Sequence, residues 1–74
     1  MQHHVHATAR GVDHGHVLDI TRRLEPFSIQ SKVTERRGQV EWDLFSDSES
    51  AQEMLRNLRS AAKRSTGRDC IRTS

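Results

Sequence analysis

Five histidines lie near the start of the chain, and they are the residues best suited to chemistry: His3, His4, His6, His14 and His16. Clustered imidazoles suit zinc, nickel or copper. A structural metal site, however, usually has four ligands at recognisable spacing, often with paired cysteines, and this chain has one cysteine. Solvated or interface histidines are therefore favoured, and metal binding is kept as an alternative.

The groups that could act as nucleophile, acid or base do not form a catalytic set. Cys70 has no identifiable histidine partner in the sequence, and a nucleophile needs a base within hydrogen-bond reach. Asp47 and Glu49 are better explained by the positive end of a following helix. The sequence therefore predicts a non-enzyme, with no catalytic residue, metal or cofactor in this chain.

The length of 74 residues permits one domain, spanning residues 1–74, with a thin core. A chain this short buries only about 60% of the surface that its unfolded form exposes. The large rings are Trp42, Phe27 and Phe45. Such a domain commonly needs an oligomer or a partner to complete its apolar burial.

The charge pattern argues against a dedicated nucleic-acid binder. Lys and Arg number 12 against 10 Asp and Glu, and the arginines are spread from Arg10 to Arg72 with no tyrosine between them. Nucleic-acid binders more typically combine a basic stripe with aromatic stacking residues. The single cysteine excludes an internal disulfide, and the first residues lack the pattern of a secretory signal, so a cytoplasmic location is expected.

The first half of the chain predicts a strand, a helix and a second strand. Val5, Ala7 and Ala9 alternate with polar residues, the period of a half-buried strand. Gly11, Asp13 and Gly15 supply turn chemistry and a possible helix cap. A helix is then predicted from four residues at helical spacing, Val17, Ile20, Thr21 and Leu24. Pro26 is expected to end this helix. Phe27, Ile29 and Val33 are placed on one face of the second strand.

The second half predicts a hairpin, a helix and a short final strand. Arg36 to Gln39 form a plausible turn into a third strand, whose Val40, Trp42 and Leu44 share one face. Ser46 to Glu49 has the form of a capping box. An apolar stripe follows at helical spacing and ends near Gly67, after which Cys70 and Ile71 could form an edge strand. The stripe consists of Ala51, Met54, Leu55, Leu58 and Ala62.

The order βαββα(β) predicts an α+β, ferredoxin-like sandwich with two helices on one face of an antiparallel sheet. Trp42 is expected to be the main core side chain. The other sheet face is predicted to stay open for a partner. It carries His4, His6, Thr8, Ser28, Gln30, Lys32, Glu41, Asp43 and Phe45.

Two segments resemble a known family. Residues 13–24, DHGHVLDITRRL, with residues 27–31, FSIQS, are similar to the loop, helix and second strand of ACT domains. The opening residues 1–10, MQHHVHATAR, resemble the start of the small regulatory subunit of acetolactate synthase (acetohydroxyacid synthase), isozyme II type. The likeness continues weakly at Val17–Leu18 and in the Met54–Leu58 helix, and so covers most of the chain.

The resemblance implies a non-catalytic subunit that pairs with itself through the ACT domain and activates a large catalytic subunit. Thiamine diphosphate, magnesium and FAD would belong to that partner. Partner contact is expected on the first strand, where charge changes of histidine would make binding depend on pH. The expected partner-binding residues are His4, His6, Thr8 and Arg10.

The same family implies an amino-acid effector site at the loop after the first strand. The residues are Asp13, His14, Gly15 and His16. Gly15 would let a ligand carboxylate approach the free N–H groups of the helix N-terminus. The alternative is that Gly11 and Gly15 only turn the chain. His14 departs from the family pattern, which commonly has Pro or Asn before the glycine.

Two other functions stay open at this point. One is a free-standing amino-acid sensor of the same fold with another client. The other is a histidine-rich module that responds to metal or binds nucleic acid.

Overall fold

The computed structural model describes residues 1–73, which form four strands and two α-helices. The elements are β1 (His3–Arg10), α1 (His14–Leu24), a 3-10 turn (Glu25–Phe27), β2 (Gln30–Arg36), β3 (Gln39–Ser46), α2 (Ala51–Thr66) and β4 (Ile71–Thr73). Within these residues, neither helix has the length and apolar content needed to cross a bilayer.

The strands form one antiparallel sheet in the order β2-β3-β1-β4. The two longest strands, β1 and β3, lie in the centre and pair over their full length, from His3 opposite Ser46 to Arg10 opposite Gln39. The final strand exists and pairs with β1, with Ile71 opposite Ala9. The predicted α+β, ferredoxin-like sandwich is therefore confirmed.

The core lies between the sheet and the two helices. Ala7 on β1 lies opposite Trp42 on β3, and both side chains are fully buried. Small residues on β1 let the helices approach the sheet closely, while Trp42 fills the space beside them. The helices supply buried aliphatic side chains at the predicted spacing. They are Val17, Ile20 and Leu24 from α1, and Met54, Leu58, Ala61 and Ala62 from α2. In the predicted stripe of α2, Leu55 is only partly buried and Ala51 is exposed.

The β2–β3 hairpin has the predicted position. Arg37 and Gly38 form its two-residue loop, and Gly38 has a φ of 64°. A positive φ favours glycine because glycine has no Cβ. The hairpin fixes the β2–β3 register, in which Val33 lies opposite Trp42.

Phe27 differs from its predicted place on the second strand. Pro26 ends α1 as expected, but the chain continues into a 3-10 turn that contains Phe27, and Ser28 then adopts a left-handed φ of 59°. The strand therefore starts only at Gln30. Phe27 is 45% exposed, and Ser28 belongs to this turn and not to the sheet.

The cap of α2 also differs from the prediction. Ser50 is the N-cap and forms a capping box with Glu53. Ser46 is instead the last residue of β3, and its Oγ accepts hydrogen bonds from the N–H groups of Ser48 and Glu49. Both serine–glutamate pairs have the required spacing. Because pairing with His3 extends β3 through Ser46, only the second pair lies at the helix start.

Candidate functional site

The open face of the sheet lies opposite the helices. Residues directly across an antiparallel pair share one face, and the register sets Thr8 between Glu41 on β3 and Arg72 on β4. The predicted partner residues all belong to this face. Its members are His4, His6, Thr8, Arg10, Gln30, Lys32, Thr34, Arg36, Gln39, Glu41, Asp43, Phe45 and Arg72.

The first histidine of this face is held by two neighbours on β3. His4 Nε2 lies 2.9 Å from Asp43 Oδ1. Its ring also stacks on Phe45, with 4.7 Å between ring centroids and an interplanar angle of 22°. The ring of His4 is therefore held by one polar contact and one stacking contact.

Glu41 is the second charged centre of the open face. Its Oε1 lies 3.6 Å from His6 Nε2, and its Oε2 lies 3.1 Å from Arg36 Nε. Arg36 reaches Glu41 from the outer strand β2, and His6 reaches it from β1. These contacts join three strands across the face, and Arg36 is the most exposed of the three side chains.

The formal charge of the open face is positive. Its cations are Arg10, Lys32, Arg36 and Arg72, and its carboxylates are Glu41 and Asp43. Arginine and aromatic side chains are enriched at interface hot spots. Phe45 is the aromatic side chain among them and is half-buried. This combination is typical of a protein-binding surface that complements acidic groups.

The predicted effector loop forms the start of α1. Asp13 is the N-cap, and its Oδ1 accepts a hydrogen bond from the N–H of His16 at 2.9 Å. The possible helix cap predicted here is therefore confirmed. The carboxylate of Asp13 already occupies the position at which the helix N-terminus would attract an anion.

Gly15 is a helical residue and not part of a turn, which corrects one of the two predicted roles for this glycine. A Cβ at Gly15 would lie 3.5 Å from Asp13 Oδ1, an ordinary contact distance. Gly11 does turn the chain, with a φ of 71°. Its carbonyl accepts a hydrogen bond from Arg68 at 3.0 Å.

The two histidines of the loop have separate partners. His14 Nδ1 lies 2.7 Å from Glu35 Oε2, near the end of the edge strand β2. His16 Nδ1 lies 2.9 Å from Ser65 Oγ on α2. The loop is thereby tied to both the sheet edge and the second helix.

The histidines do not gather into one cluster. His4 and His6 lie on the open face, whereas His14 and His16 belong to α1 on the other side of the sheet. Across residues 1–73, no three His, Cys, Asp or Glu side chains are placed to hold one metal ion. The alternative of a shared histidine metal site is therefore not supported by their placement.

Sequence reasoning missed two contacts made from β2. Glu35 was assigned no role, yet it contacts His14. Arg36 was assigned to the hairpin turn, yet it is the last residue of β2 and contacts Glu41. The hairpin turn at Arg37–Gly38 fixes the β2–β3 register, so the proximity of Arg36 and Glu41 could have been found. The contact between His14 and Glu35 depends on how α1 packs and leaves no signal in the sequence.

Comparison of the chain with models of protein families, with curated proteins and with solved structures gives no match. The α+β fold class follows from the strand order β2-β3-β1-β4 and the two helices on one side of the sheet.

Proposed function

We propose that this chain is a non-catalytic, ACT-type regulatory subunit that binds and activates the catalytic subunit of acetolactate synthase. The observation that carries the proposal is the open sheet face, which is charged, partly preorganised and opposite both helices. The first strand crosses the middle of this face. Its resemblance to the small subunit of acetolactate synthase is the reason for proposing that enzyme's catalytic subunit as the partner.

The preorganised contacts on β1 and β3 support direct binding of a protein partner. A surface held in one conformation loses little conformational entropy when it is covered. His4 is held by its contacts with Asp43 and Phe45 on β3. Activation further requires that the catalytic subunit binds this chain more tightly in its active state than in its inactive state.

The long edge strand supports pairing of two copies. β2 has seven residues and lies at one edge of the sheet, whereas β4 at the other edge has three. An edge strand offers unpaired backbone groups to a neighbouring strand. We propose β2 as the contact in the homodimer.

The contact between His14 and Glu35 supports an effector site beside that dimer contact. It holds the start of α1 next to β2, so an effector at the Asp13–His16 loop would lie close to both copies. An amino-acid carboxylate would compete with Asp13 for the N–H of His16, because Asp13 already accepts that hydrogen bond. The effector is therefore expected to bind weakly.

Reconstitution tests the proposal. The rate of acetolactate formation by the thiamine-diphosphate-dependent catalytic subunit from the same genome is measured with increasing amounts of this chain, and then with valine, leucine or isoleucine added. We expect the rate to rise to a plateau as the two chains associate. An unchanged rate, with no complex detected by sedimentation, would contradict the proposal. Binding of an amino acid by the chain alone, without any activation, would favour the free-standing sensor.

A further inference from the structure

A groove lies in the helix layer, away from the open face of the sheet. It has a volume of about 350 Å³ and runs between the end of α1 and the second half of α2. Arg23, Pro26 and Phe27 form one wall, while Asn57, Ser60, Ala61 and Arg64 form the other. None of these residues belongs to the surface used in the regulatory proposal.

Local sequence explains why the groove forms. Asn57, Ala61 and Arg64 follow one another at intervals of four and three residues, so they share one face of α2. On the opposite wall, Pro26 ends α1 and the 3-10 turn directs Phe27 outward. Phe27 is 45% exposed, although its ring is one of the few large apolar groups in the chain. The groove therefore has an exposed aromatic wall that the core does not use.

The guanidinium of Arg64 gives the groove a positive charge, and the guanidinium of Arg23, whose charge is offset by Asp19, adds further hydrogen-bond donors. Arg23 uses Nε to contact Asp19 Oδ2 at 3.0 Å, which leaves its two terminal nitrogens as donors. Arg64 forms no ion pair or hydrogen bond with any side chain of residues 1–73. The amide of Asn57 donates to Glu49 Oε1 at 3.0 Å, and no carboxylate of residues 1–73 lines the groove.

We propose that this groove binds a small organic carboxylate with a hydrophobic, preferably aromatic, body. The planar fork of arginine matches the two oxygens of a carboxylate, and Arg64 and Arg23 provide two such forks. The body of the ligand packs against Phe27 and Pro26, where an aromatic ring gains from stacking. The volume lies at the lower end of the range for small-molecule pockets, about 300–1,000 Å³.

Phenylacetate is a suitable probe, with phenylacetamide as the neutral control of nearly the same shape. Binding is followed by NMR through the amide signals of Phe27, Ser60 and Ala61 and the side-chain signal of Asn57. We expect saturable shifts at these groups with phenylacetate, and binding at least about tenfold weaker with phenylacetamide, since hydrogen bonds to charged groups are the stronger kind.

Two variants of equal charge separate the groove from general electrostatics. Arg64→Gln should weaken phenylacetate binding about tenfold or more. Lys63→Gln removes the same charge one residue away, outside the groove lining, and should change binding less than about twofold because exposed charges are screened. Both residues are exposed, so both variants should fold.

Several results would overturn the inference. They are the absence of saturable shifts, shifts that lie mainly on the open sheet face, equal affinity for the acid and its amide, or equal effects of the two variants. A blocked peptide containing neighbouring aspartate and phenylalanine is tested in parallel. Tighter binding of that peptide would assign the groove to a protein segment and would also overturn the small-molecule proposal. None of these outcomes bears on activation of acetolactate synthase.

Discussion

Replacing Leu58 by alanine tests whether the apolar side of α2 packs on the sheet. Leu58 is 0% exposed, and Leu→Ala at such a site costs about 3–5 kcal/mol through lost burial and the cavity left behind. The free energy of unfolding of a domain of 74 residues is about 4–11 kcal/mol. Leu58→Ala should therefore remove a quarter or more of the stability, and lower Tm by at least about 12 °C.

Leu18→Ala is the matched control, because it makes the same chemical change on the outward side of α1. Leu18 is 52% exposed, and its loss should change the free energy of unfolding by about 0.5 kcal/mol or less. Urea unfolding is followed by fluorescence of Trp42, the single tryptophan, which is fully buried. A cost for Leu18→Ala equal to that of Leu58→Ala would refute the placement of the helices.

Three further predictions concern the helix starts. Ser50→Ala should lower the free energy of unfolding by about 1 kcal/mol, since it removes the side-chain cap of α2, and thermal unfolding measures this loss. Hydrogen bonding to the backbone and side chain of Ser50 holds the pKa of Glu53 below its ordinary value of 4.5. Glu53 therefore stabilises the fold fully above pH 4.5, and this effect is lost as the pH falls through the lower folded-state pKa. The difference in free energy of unfolding between the wild type and Glu53→Gln should accordingly shrink in acid. A difference that stays constant with pH would contradict this role of Glu53. Asp13→Asn keeps an N-cap but removes the competing charge, and should strengthen the effect of a branched-chain amino acid on the reconstituted enzyme; an unchanged effect would count against the loop as the effector site.

Much of the fold was predictable because its patterns are local. The alternation at Val5, Ala7 and Ala9 and the Arg37–Gly38 turn set two strands and one register. Phe27 was assigned to the wrong element because Ser28 adopts a left-handed conformation, and β2 therefore starts later in the chain. A serine at this position does not indicate that conformation. The α2 cap was misplaced because two serine–glutamate pairs matched the motif, and only the strand pairing of Ser46 decides between them.

The candidate site was predictable as a face but not as a set of contacts. Strand alternation alone puts His4, His6 and Thr8 together. Which carboxylate each histidine meets depends on the register and on side-chain reach, since His6 lies opposite Asp43 but contacts Glu41. The groove beside Phe27 was not predictable, because it depends on the turn that carries this ring out of the sheet.

The affinity of two arginine variants for the acetolactate synthase catalytic subunit tests the central claim most directly. Thr8→Arg places a bulky side chain in the middle of the open face, while Gln52→Arg adds the same side chain to the exposed start of α2. If the open face binds the partner, Thr8→Arg should weaken binding at least about tenfold, a loss of about 1.4 kcal/mol or more, and Gln52→Arg should leave it unchanged. Unchanged binding with Thr8→Arg, or an equal loss with Gln52→Arg, would contradict the claim.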